Sequence, residues 1–209
     1  MPPAFPLPLR DALAELALAA ADDPAAVDAL AWLAHPAGEP SAAASAALRR
    51  VHLVDDDPPA LLAVHAPHAE RITAHAARAV RAMRGLDRAS LGGGTGRACR
   101  IAAVLWNERL FFEVHEVLEK VWVGASGDER QALQGVIQIA VAFHHLAHGN
   151  RRGARSLVAE GRARVAGVAP ATLPAIDLDR LLADTKPWET ALATTDALPA
   201  SSPPALHRR

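Results

Sequence analysis

Runs of alanine and leucine, broken at intervals by proline and glycine, leave this chain little to fold into except helices. It contains no tyrosine, and no stretch alternates apolar and polar residues convincingly, so the period-two signature of a strand is missing. Alanine loses no side-chain freedom in a helix, whereas Ser, Asp, Asn, Pro and Gly mark where helices start and stop. Read this way, helices are expected over 9–21, 24–34 behind Asp23-Pro24, 41–53 behind Ser41, and from about 60 or 67 to 84. Beyond Leu91-Gly92-Gly93-Gly94-Thr95-Gly96, one long helix is expected over 98–123. A second follows from Ser126 or Asp128 to Gly149, a third behind Asn150 to about 165, and a short one from Asp177 or Asp179 to 182. The expected fold class is all-α, an antiparallel helical bundle with an N-terminal helical extension.

The same punctuation divides the chain into an Ala-rich extension (1–91), a Gly-rich linker (92–97), a three-helix core with a short C-terminal helix (98–190) and a Pro/Ser-rich tail (191–209). Consecutive glycines lose the most backbone entropy in any regular element, which makes the linker the sharpest break. The tail is expected to be disordered. The extension has many small residues and few large ones, so it is expected to pack on the core or on a partner subunit. Trp32, Trp106, Trp122 and Trp188 read as core anchors.

At 209 residues and a formal net charge of −1, the chain carries no electrostatic argument for nucleic acid or an anionic membrane. Cys99 is the single cysteine, so no intramolecular disulfide forms and a reducing compartment fits. No segment approaches the roughly 20 apolar residues that span a bilayer. Residues 1–6 lack the basic start and apolar core of a signal peptide. A cytoplasmic protein is expected, with neither nucleic acid nor membrane as partner and with homo-oligomerisation through Ala-rich helices as the candidate assembly. The glycine run has no preceding strand and no following lysine, so it is not a phosphate loop. Arg71, Arg78, Arg81, Arg84 and Arg88 make one helix basic, but without the interleaved aromatics that stack on single strands. His65, His68 and His75 share a side of that region, with Pro67 breaking the helical geometry between the first two.

Against this plain background, residues 106–154 place polar groups among the bulkiest apolar ones. At 100° per residue, His115 falls with Phe111, Leu118, Glu119 and Trp122, while Glu113 and Glu116 point away. In the next helix Gln131, Gln134, Gln138 and His145 form a stripe beside Leu133, Ile137, Ala140, Val141 and His144. If the two helices pack face to face, His115 and Glu119 meet Gln138 and His145. Truncating Glu119 to Ala is then expected to lower the melting temperature, with Glu113→Ala nearly neutral. The candidate ligand-binding or polar-core set is His115, Glu116, Glu119, Gln134, Gln138, His145 and Asn150.

Three chemistries fit that set. A satisfied hydrogen-bond network would fix the register of two slippery Ala/Leu helices. A divalent metal (zinc, manganese or iron) would take His115, Glu119 and His145 as ligands, with Glu116 or Glu108 behind them, and would support a hydrolase or an oxidase. A small-ligand or peptide pocket, or metal-free acid–base catalysis by His115 and a carboxylate, is the third. The metalloprotease pattern H-E-x-x-H is absent, and neither Cys99 nor Ser126 has the partners of a nucleophile. No catalytic residue and no reaction are assigned.

Three motifs in this stretch carry a family resemblance. W-N-x-x-x-F-F-E-x-H-E-x-L-E-x-x-W begins at Trp106, Q-G-x-I-Q-x-A-x-x-x-H at Gln134 and G-N-x-x-G-A at Gly149. In this order and spacing, over about 105–182, the chain resembles the domain-of-unknown-function family number 309. The resemblance implies a small all-helical fold and no established activity. Where members commonly carry a small residue, often glycine, this chain has Arg109.

Overall fold

The computed structural model describes residues 4–55, 59–194, 197–199 and 203–208. These described residues are all-α, with one isolated bridge between Val54 and Leu61 and no named strand. None of their helices is long and apolar enough to cross a membrane. The chain divides into two compact units at Arg88/Ala89.

In the first unit, Ala4–Arg88, the helices are α1 (Leu7–Ala19), α2 (Pro24–Ala34), α3 (Ala42–Arg50) and α4 (Ala69–Arg84). Asp23 caps α2 by accepting from Ala25 N–H at 2.9 Å, with Pro24 at the first helical position where its missing N–H does no harm. Ser41 caps α3 by accepting from Ala44 N–H at 3.1 Å. α2 packs against α1, α3 and α4, and the unit buries Leu9, Leu13, Leu16, Leu30, Leu48 and Ile72 in its own core. Pro67 lies in a 3-10 segment, Ala63–His68, so the α-helix begins only at Ala69.

The second unit holds α5 (Gly94–Asn107), α6 (Phe111–Trp122), α7 (Gly127–Ala147), α8 (Arg151–Ala166) and α9 (Leu178–Ala193), each packed on the next. Gly94 to Arg97, expected to be linker, form the first turn of α5. The single long helix expected over 98–123 is two helices, because Arg109 takes a left-handed φ of 59°. Arg109 N–H donates to the Trp106 carbonyl (2.8 Å) and Leu110 N–H to the Leu105 carbonyl (2.9 Å), the double bond that terminates a helix. The short helix expected near 177–182 is instead sixteen residues long and runs through Pro187.

Gly149 stops α7 in the same way at φ 79°. Asn150 then caps α8, its Oδ1 accepting from Gly153 N–H at 2.9 Å. A side chain at Gly153 would bring a Cβ within 2.7 Å of the Asn150 amide, so the cap needs that glycine. Gly135 and Gly161 let α7 and α8 cross with their backbones touching: a Cβ on either would lie 2.7 Å from the other's carbonyl oxygen. Phe111 stacks on Phe143 at 5.4 Å, with Trp106 and Trp188 edge-on to Phe143 at 5.7 and 5.3 Å. This aromatic cluster anchors α5, α6, α7 and α9 to one another. Of the tail expected to be disordered, Pro204, Leu206 and His207 are bonded to the end of α5 and the start of α9, while 195–196, 200–202 and 209 lie outside the described residues.

Candidate functional site

The buried face of α6 is set by Phe111, Val114, Val117 and Leu118, and Glu113 lies inside it at 2 % exposure. The sequence pattern centres that face on the aromatic residues and turns Glu113 outward. The structure corrects this. The face is centred on the valine stripe, so the helix is rotated about its axis, carrying Glu113 in and the His115 side out. The spacing of Leu110, Val114, Val117 and Val121 was the available signal.

As a result His115, Glu116 and Glu119 form a half-exposed ridge, their side chains 26, 35 and 48 % exposed. The three donor atoms lie within 4.8 Å of one another, and among the described residues this is the group of three such side chains that converges. His115 Nδ1–H donates to Glu116 Oε1 at 3.0 Å. In the neutral ring that bond leaves the lone pair on Nε2, which faces Glu119 Oε2 at 3.5 Å. Glu116, expected to point away, is thus the group that orients the imidazole. Phe112 lies beside the ridge, its ring 6.0 Å from that of His115 and 5.9 Å from that of His144 on α7.

The other expected members go elsewhere. Gln138 donates to Glu160 Oε2 at 3.0 Å and accepts from Arg164 Nε at 3.1 Å, both on α8; Arg164 also donates to Gln131 Oε1 at 2.7 Å. Asn150 Nδ2 donates to His145 Nδ1 at 3.1 Å, placing the His145 lone pair on Nδ1 and tying the ring to the α7–α8 corner. Gln134 is half-buried on the same helix. The expected cluster between α6 and α7 is therefore split, with a His/Glu ridge on α6 and a Gln/His network joining α7 to α8. The expected ligand trio of His115, Glu119 and His145 is not assembled, since His145 is not among the converging donors. Close backbone crossing at Gly135 and Gly161 turns the glutamine stripe toward α8.

Cys99 is buried in α5, and burial, reinforced by Glu129 and opposed by Arg100, pushes its thiol from 9.0 up to about 12. A thiol so reluctant to ionise is no nucleophile at neutral pH. Glu189 on α9 is held below the ordinary carboxylate range, first by its hydrogen bond from Lys186 and then by Arg162. That group joins α8 to α9, with Arg162 Nε 3.0 Å from Glu189 Oε2.

Among curated proteins and among solved structures, nothing matches this chain. A family model does match, over a segment that starts in α5 and ends in the first half of α8. Residues 100–157, which hold the His115 ridge and all three motifs, match the family described as "Domain of unknown function (DUF309)", the family those motifs resemble.

Proposed function

We propose that the core unit is a helical binding module that takes a divalent transition cation on the ridge of α6, with His115 Nε2 and Glu119 as ligands and Glu116 orienting the imidazole. The observation that carries this reading is the spacing of 3.5 Å between His115 Nε2 and Glu119 Oε2. Metal–ligand bonds of about 2.0–2.2 Å at tetrahedral angles put neighbouring ligand atoms roughly 3.4 Å apart. The Glu116 bond to Nδ1 supplies the carboxylate behind the histidine that metal sites commonly use to fix the tautomer and raise basicity. Two protein ligands on an open ridge leave the remaining positions to water or to a partner's donor groups, which suits capture of a ligand better than chemistry in an enclosed site. The Gln131, Gln138, Glu160 and Arg164 network has the bonding of a structural joint between α7 and α8.

The test is calorimetric titration of the full chain with zinc, then manganese and iron(II). One zinc per chain is expected, lost in His115→Ala and in Glu119→Ala and unchanged in His145→Ala. Glu116→Ala should weaken binding by about 10- to 100-fold, the usual effect of removing a carboxylate behind a ligand histidine. Zinc binding that survives His115→Ala, or no binding of any of the three ions, would sink the proposal.

A further inference from the structure

The Trp-Asn pair at the end of α5 is a motif that the metal position leaves unused. Trp106 is only 1 % exposed, and its indole N–H donates to the Pro204 carbonyl at 2.7 Å. Asn107 grips a single residue with both ends of its amide. Its Oδ1 accepts from Leu206 N–H at 2.8 Å, and its Nδ2 donates to the Leu206 carbonyl at 3.5 Å. The next carbonyl, of His207, accepts from Asp177 N–H at the start of α9, at 3.0 Å. Between these bonds the Leu206 side chain is sunk to 2 % exposure, while Ala205, His207 and Arg208 around it stay exposed.

This is the bonding pattern of peptide recognition. Main-chain donors and acceptors of an extended segment are read by fixed partners, which supplies affinity for any sequence, and one side-chain pocket supplies selection. The receiving side chains, Trp106 and Asn107, lie inside the 100–157 segment that matches the family, whereas the bound residues lie far beyond it. The two receiving side chains and the residue they bind are therefore distant parts of the chain.

We propose that Trp106, Asn107 and the backbone at Asp177 form a peptide-binding site for extended segments anchored by one leucine, and that residues 203–208 are its ligand in cis. A tethered ligand acts at an effective concentration of roughly millimolar. A free peptide therefore gains the site readily only when the tail's own anchor is removed.

The experiment uses a fluorescein-labelled peptide of residues 203–208, titrated by anisotropy into the full chain, its Leu206→Asp and Leu206→Ala variants, and each variant combined with Asn107→Ala. Circular dichroism melts accompany every titration. The Leu206 variants should stay folded and bind the peptide at least about tenfold more tightly than the native chain, and Asn107→Ala should abolish the gain. A folded Leu206 variant that binds no better than the native chain would overturn the proposal. So would a gain indifferent to Asn107, or unfolding of both Leu206 variants, which would make the tail part of the fold and not a ligand.

Discussion

Six positions apart on α6, Glu113 and Glu119 differ in what surrounds them more than in what they are. Glu113 is 2 % exposed inside the packed face and is not without a partner, whereas the Glu119 side chain is 48 % exposed on the ridge. Removing a buried carboxylate leaves its partner unsatisfied, which costs roughly 1–3 kcal/mol. An exposed one is exchanged for water, with effects usually within about 0.5 kcal/mol. Glu113→Ala should therefore lower the melting temperature clearly and Glu119→Ala hardly at all, the reverse of what the sequence suggests. Thermal melts of the two variants decide it, and a larger drop for Glu119 would mean that the ridge is buried in solution. The reversal has one cause. A helical wheel states which residues share a side, but the side turned inward is chosen by neighbouring helices.

Among the described residues, three helices end in the same pair of hydrogen bonds, made by a residue in the left-handed region and its successor: His52 after α3, Arg109 after α5 and Gly149 after α7, with φ of 55°, 59° and 79°. Glycine adopts that conformation freely, whereas a side chain there adds about 1–2 kcal/mol of strain. Arg109 thus occupies a position whose backbone conformation favours glycine. Arg109→Gly should stabilise the chain by about 1 kcal/mol, and Gly149→Ala should destabilise it by a similar amount. Denaturant midpoints of the two variants check this, and shifts of the same sign would refute the account of the helix ends. The starts of α2, α3, α8 and α9 were legible for a related reason. Asp23, Ser41, Asn150 and Asp177 cap the helices that follow them through bonds spanning two or three residues. The break between α5 and α6 is invisible in the sequence because arginine carries no signal for a left-handed stop.

For the core unit as a whole, the buried thiol of Cys99 couples stability to alkaline pH. Its folded value of about 12 stands above the ordinary 9.0, so between those values the unfolded chain has released a proton that the folded chain still holds. The contribution is complete below about pH 9 and falls away as pH rises toward 12, by up to ~1.4 kcal/mol per unit of pH. Melts between pH 8 and about 11 should show a decline that is shallower in Cys99→Ala, and parallel declines in the two proteins would contradict the burial. The sequence by itself determined the all-α class, the capped starts of α2, α3, α8 and α9 and the stop of α7 at Gly149, because each depends on bonds made within a few residues along the chain. Tertiary structure decided which of the two apolar stripes of α6 is buried, that Gln131 and Gln138 meet α8, and that the tail reaches Trp106 and Asn107 across 98 and 99 positions. Those outcomes rest on many weak apolar contacts between distant residues, together with the close crossing that Gly135 and Gly161 allow. No local pattern in the chain records their sum.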